Sequence, residues 1–137
     1  MAVAARADGR QRLKGGPVLA LVVDDNPASL ELAGFLLEDA GFEVRTLPDG
    51  RGLVAWAAQH RPDVIVLDIR LPGLDGMALK AALAAQPATA AIPVIAFTAH
   101  AMKGDEARYL AAGFSAYVAK PIDVTTFAAQ VRAVTMR

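Results

Sequence analysis

The chain has no cysteine. That excludes a disulfide framework, a thiolate nucleophile and a thiolate zinc site, leaves any chemistry to oxygen and nitrogen, and fits a reducing cytoplasmic setting. Histidine is nearly absent as well, with only His60 and His100, neither beside the acidic pairs in sequence, so a zinc site is a poor expectation. No apolar stretch has the length of a signal peptide or a membrane span, because the longest runs are broken within a few residues by charge or proline. Net charge is also lacking: 14 bases meet 14 acids. The balance divides unevenly, since Arg6, Arg10, Arg12 and Lys14 face only Asp8 within residues 1–16. The remainder is therefore acidic, the wrong sign for gripping nucleic acid through phosphates. Neither a nucleic-acid nor a membrane partner is expected for it.

What is present is apolar mass. Hydrophobic residues make up 55% of the 137 positions and charged residues 20%, which rules out a disordered chain and leaves room for one domain with a real core. Gly15-Gly16-Pro17 separates a basic extension, residues 1–16, that reads as flexible, from a domain spanning residues 17–137. Val18–Val23, Val64–Leu67 and Val94–Phe97 are continuous apolar runs, the signature of strands buried on both faces of a parallel sheet. Phe42–Leu47 and Ala116–Ala119 are shorter or interrupted by charge and suit the sheet edges.

Between these runs the apolar period becomes helical. Asn26-Pro27 reads as N-cap and first helical position of a helix ending near Ala40, with Gly41 as its stop. Asp49 caps a second helix, in which Leu53, Trp56, Ala57 and His60 share a face, and Asp75 caps a third containing Leu79, Ala82 and Leu83. Asp105 and Glu106 open a fourth, whose inward face reads as Ala107, Leu110 and Ala111; this leaves Tyr109 exposed, sharing a patch with Met102, before Gly113 ends the element. The fifth follows Asp123 with a stripe of Val124, Phe127, Ala128, Val131 and Val134. Five strands alternating with five helices predict an α/β fold, a doubly wound five-stranded parallel sheet with its ligand site at the carboxyl ends of the strands.

Polar residues gather at those ends. Asp24-Asp25 follows strand one, Asp68 ends strand three, Thr98 ends strand four and Lys120 ends strand five. Alone, Asp24-Asp25 would read as a helix cap; together with Asp68 it makes a site. Carboxylates this close repel by roughly 4 kcal/mol per pair at a surface-like dielectric, so the cluster needs a cation, and hard oxygen donors select Mg²⁺ or Mn²⁺. A divalent ion, Lys120 and the Thr98 hydroxyl together form a pocket for negative charge developing on three oxygens, the demand of phosphoryl transfer. Asp68, at the central strand end, is the nucleophile in this reading.

These residues resemble the receiver domains of two-component response regulators. The match consists of Asp24-Asp25, the segment Asp68-Ile69-Arg70-Leu71-Pro72-Gly73-Leu74-Asp75-Gly76, Thr98-Ala99, and Tyr117-Val118-Ala119-Lys120-Pro121. The run from Thr98 to Asp105 is similar to that of stand-alone cell-cycle and phosphorelay receivers and of hybrid kinases. The resemblance implies a flavodoxin-like sheet of order 2-1-3-4-5 and phosphorylation of Asp68 by a phosphohistidine on a histidine kinase or histidine phosphotransfer protein. Asp25, Asp68 and the backbone carbonyl of Arg70 would hold Mg²⁺ (or Mn²⁺) directly and Asp24 through water, and Lys120 would pair with the phosphoryl oxygens. Thr98 and Tyr117 would act as the switch, a downstream protein would dock on helix four, strand five and helix five, and Lys120-Pro121 would be a cis peptide. Arg70 and His100 would flank the phosphoryl mouth, while Gly73 and Gly76 serve turns around Pro72.

Rival readings are a receiver fragment of a hybrid histidine kinase, a degenerate receiver serving only to bind, a flavodoxin-like electron carrier and a haloacid-dehalogenase-like phosphatase. The carrier would find its flavin phosphate repelled by Asp24-Asp25. The phosphatase requires a second Asp two positions after the nucleophile, where this chain has Arg70. Self-directed phosphoryl chemistry, not turnover of a separate substrate, is therefore expected.

Overall fold

A computed structural model describes residues 17–71, 74–99 and 102–136. The basic extension 1–16, Pro72, Gly73 and His100 lie outside the described residues. The apolar runs form five parallel strands: β1 (Leu19–Val23), β2 (Glu43–Leu47), β3 (Val64–Asp68), β4 (Val94–Thr98) and β5 (Ala116–Ala119), in spatial order 2-1-3-4-5. The charge-interrupted run and the short Ala116–Ala119 run are the edges, and the three continuous apolar runs fill the centre, where both faces are covered. A two-residue antiparallel ladder, Arg70–Leu71 with Leu74–Asp75, follows β3.

Five helices alternate with the strands: α1 (Pro27–Asp39), α2 (Leu53–His60), α3 (Gly76–Ala84), α4 (Asp105–Ala111) and α5 (Phe127–Thr135). Asn26 Oδ1 accepts from the backbone N–H groups of Ala28 and Ser29, with Pro27 in the first turn, as read from the sequence. Asp75 caps α3 through Met77 N–H. Gly41 and Gly113 take left-handed φ values of 98° and 104° directly after α1 and α4.

Strand alternation sorts the core into two halves. Leu21, Val23, Ile65, Leu67, Val94 and Ala96 pack with residues of α2, α3 and α4; Ala20, Val22, Val64, Val66, Ile95 and Phe97 pack with α1 and α5. The same parity, carried to the strand ends, directs Asp24, Asp68 and Lys120 toward the α1/α5 side, and Thr98 and Tyr117 toward the α4 side.

Three local expectations fail. Asp49 does not cap α2: its Oδ1 accepts from Arg51 N–H in a tight turn, and the helix starts later, after Gly52, which has a left-handed φ. Val124 lies before α5 and is exposed, because the chain turns through Asp123–Thr126 before the helix begins. The phase of α4 is also different. Ala107, Leu110 and Ala111 are exposed and Tyr109 is only 4% exposed. In a seven-residue helix, burying one tyrosine against Phe114 and Tyr117 outweighs burying one leucine and small alanines. Met102 is exposed but precedes the helix, so the patch with Tyr109 does not exist.

Gly76 shows where backbone crowding protects the site. Its N–H donates to Ile69 O, and a Cβ there would stand 2.7 Å from Ile69 Cα, beside Asp68. Gly34, inside α1, would place a Cβ at an ordinary 3.8 Å from Val44. Gly76→Ala is therefore expected to lose about 1–3 kcal/mol in urea unfolding. Gly34→Ala should instead gain about 0.5–1 kcal/mol from helix propensity.

Candidate functional site

The carboxyl ends of β1, β3, β4 and β5 meet at one rim. One oxygen from each of Asp24, Asp25 and Asp68 lies within 4.8 Å of the others. Their environments differ. Asp24 is fully buried: Oδ1 accepts from Asn26 N–H at 2.9 Å, and Oδ2 lies 2.7 Å from Lys120 Nζ, an ionic approach off the hydrogen-bonding direction. Asp25 is exposed and, with Asp68, Arg70, Ala99, Lys120, Asn26 and Pro27, lines an open cleft of about 410 Å³. Asp68 lies almost wholly below the surface at the floor of that cleft. Its Oδ1 accepts from Arg70 N–H at 2.9 Å, and its Oδ2 accepts from Lys120 Nζ at 3.3 Å.

Lys120 thus bridges the two buried acids. Its Nζ also lies 4.8 Å from the centre of the Phe97 ring, and Lys120 N–H donates to Thr98 O, tying β5 to β4 beyond the last register pair. Burial works against its charge, but Asp24 and then Asp68 override it and hold the ammonium above its ordinary pKa. Asp68 behaves oppositely. Burial, reinforced by Asp24, outweighs the Arg70 N–H and Lys120 and pushes its pKa up to about 6. One ammonium against three carboxylates leaves the cluster short of positive charge, and every side-chain donor in it is a hard oxygen, so the residues fit Mg²⁺ or Mn²⁺.

The structure brings together Asp24, Asp25, Asp68 and Lys120, with Arg70 at the cleft wall. Thr98 is buried at the end of β4, beside Ala119 in register. Tyr117 is half-buried, its hydroxyl shielded and without a hydrogen-bond partner among the described residues. Burial first, then Asp105, Tyr109 and Glu106, raises its pKa. The Lys120–Pro121 bond is cis. His60 stacks on Trp56 at the end of α2, away from the rim. The sequence reading did not find Tyr109 as a neighbour of Tyr117, since only the phase of α4 reveals it.

Asp68 carries a stability cost with a definite sign. Unfolded, it loses its proton near its ordinary value of 3.8; folded, it keeps it to about 6. Between those values the folded state binds more protons, so metal-free stability falls as pH rises through the window. Asp68→Asn should therefore be more stable than the parent at pH 7.5 in EDTA by about 1–2 kcal/mol, allowing for solvent screening at the cleft. The difference should vanish by pH 4, as followed by urea unfolding at both pH values.

Residues 20–132 match the response regulator receiver domain family. The chain is 40% identical over 111 residues to the polar-differentiation response regulator DivK of Brucella anthropi, covering 81% of this chain and 90% of that protein. It is 44% identical over 103 residues to the signal transduction histidine-protein kinase BarA of Escherichia coli K12, covering 75% of this chain but only 11% of BarA. Among solved structures, the receiver domain of a Pseudomonas aeruginosa sensor histidine kinase, with a magnesium ion in its active-site cleft, superposes with a TM-score of 0.80. That pair is 32% identical over 89% of this chain and all of the other. No helix among the described residues is long and apolar enough to cross a membrane. The sheet order, the acidic rim and these relatives agree: the chain belongs to the response regulator receiver domain family of two-component signalling.

Proposed function

We propose that this receiver takes a phosphoryl group from a phosphohistidine onto Asp68 and signals through protein contacts that depend on it. The observation that carries the reading is the placement of Asp68: a carboxylate at the central strand end, opening on the cleft between Asp25 and Lys120. A carboxylate oxygen of Asp68 attacks phosphorus as the P–N bond to the donor imidazole breaks, and the departing ring nitrogen takes up a proton. Lys120 turns its ammonium to the equatorial oxygens, and the Thr98 hydroxyl donates to one of them. Asp25, Asp68 and the Arg70 carbonyl hold Mg²⁺ or Mn²⁺, with Asp24 contributing through water. When bound, the ion neutralises charge on the phosphoryl oxygens. The protein acts on itself alone and turns over no separate substrate.

The donor is a histidine kinase or a histidine phosphotransfer protein. The added charge of about −1.5 to −2 on Asp68 draws in Thr98 and shifts Tyr117, and the surface of α4, β5 and α5 changes for a downstream protein. The match along 90% of DivK supports a stand-alone receiver over a hybrid-kinase fragment. A cytoplasmic location follows from partners of this kind, with residues 17–137 as the signalling domain and 1–16 as an extension of it.

Acetyl phosphate or a phosphorylated kinase should label the protein as a base-labile acyl phosphate in Mg²⁺ and not in EDTA. Intact-mass spectrometry should show labelling abolished in Asp68→Asn, and label retained there would overturn the assignment. Asp24 is buried against Lys120 while Asp25 faces the cleft, so Asp25→Ala should weaken Mg²⁺ binding more than Asp24→Ala in isothermal titration. The opposite ranking sinks the direct and water-mediated split.

A further inference from the structure

Tyr109 and Tyr117 are the only two tyrosines in the chain, and their rings stack with centroids 5.6 Å apart and planes inclined by 26°. Tyr109 is held from its other sides. Phe114 meets it edge-on at 5.8 Å and 75°; the Arg108 guanidinium carbon lies 4.9 Å from the ring centre; and Arg108 Nη2 donates to the Tyr109 hydroxyl at 3.2 Å. Asp105, 3.5 Å from Arg108, anchors the guanidinium in turn. Tyr109 is thus a fixed surface on α4.

Tyr117 is not equally satisfied. Its ring is stacked, but its hydroxyl is buried without a partner among the described residues, a state that costs free energy. Ring contact holds the side chain where its polar end is penalised, so this rotamer is a balance of two opposed effects. Tyr117 pairs in register with Ala96, and Thr98 lies two residues further along β4, on the same face of the sheet. The clamp therefore acts on the side of the sheet that Thr98 shares.

We propose that Tyr109 is a positioning residue whose ring clamps Tyr117 in this rotamer and thereby sets how much charge at Asp68 is needed to move it. The proposal rests on the reading of Thr98 and Tyr117 as the route from Asp68 to the α4–β5–α5 surface. An aromatic ring is the element required; the Tyr109 hydroxyl is dispensable, because it contacts Arg108 and not Tyr117.

The two-tyrosine composition makes the test clean. Labelled with 3-fluorotyrosine, the full chain gives two ¹⁹F resonances, and Tyr109→Phe and Tyr109→Leu each leave Tyr117 alone. Beryllofluoride with Mg²⁺ serves as the acyl-phosphate mimic. Tyr109→Phe is expected to keep the parent Tyr117 shift and the parent beryllofluoride midpoint. Tyr109→Leu should move the Tyr117 resonance toward that of a solvent-exposed tyrosine and lower the midpoint about 2- to 10-fold, the equivalent of losing one ring pair. Tyr109→Met, which refills the space with a flexible side chain, should reproduce the leucine result. A parent Tyr117 resonance that moves with beryllofluoride, beside leucine and methionine variants indistinguishable from the parent, overturns the role of Tyr109 alone. A parent resonance unmoved at saturating beryllofluoride overturns the switch reading and the threshold together.

Discussion

Lys120 Nζ lies 2.7 Å from Asp24 and 3.3 Å from Asp68, and the character of the rim follows from setting that one ammonium against three carboxylates. Without it, two acids would face each other below the surface at a cost of several kcal/mol. With it, Asp24 is ion-paired and kept in place, while for Asp68 burial, reinforced by Asp24, outweighs its share of the ammonium and raises its pKa to about 6, as Lys120 rises above its own ordinary value. The site is left short of positive charge at the point where the cleft opens. The hard oxygen donors of the cluster fit a divalent cation, which would answer that deficit.

The sheet supplies the geometry through parity. Ala20, Val22 and Asp24 alternate to one side of β1, and Val64, Val66 and Asp68 to the same side of β3; Val118 and Lys120 continue the pattern from β5. The acids and the ammonium therefore converge over the α1/α5 core, with Phe97 beneath the amine. Thr98 and Tyr117 occupy the other parity, over the core shared by α2, α3 and α4. Asp24, Asp68 and Lys120 on one hand, and Thr98 and Tyr117 on the other, therefore lie on opposite faces of the same few strands.

The misplaced phase of α4 shows why short alanine-rich helices resist sequence reading. Alanines at 107, 111 and 112 carry too little apolar area to define a face, and seven residues offer fewer than two full turns of evidence. The decision fell to Tyr109, which buries more area than Leu110 and has two aromatic partners waiting, Phe114 beyond the helix and Tyr117 on β5. Neither partner is visible from the helix itself. The late starts of α2 and α5 have the same origin: Asp49 and Asp123 each turn their carboxylates onto a nearby backbone N–H, at Arg51 and Thr125, instead of opening a helix.

The five strands, their central or edge character, the caps at Asn26 and Asp75 and the acids at successive strand ends were legible in the sequence, because each is a local property of composition and period. So were the function class and the residues at the rim, since the placement of Asp24-Asp25, Asp68, Thr98 and Lys120 depends only on which residue follows an apolar run. What tertiary structure alone decided is how those residues differ once assembled: Asp24 buried on Lys120, Asp25 open to the cleft, Asp68 raised in pKa, and Tyr109 stacked on Tyr117. These are pairwise distances and degrees of burial between residues far apart in the chain, and no local pattern encodes them, because desolvation and Coulomb energy are set by neighbours that only the folded sheet provides.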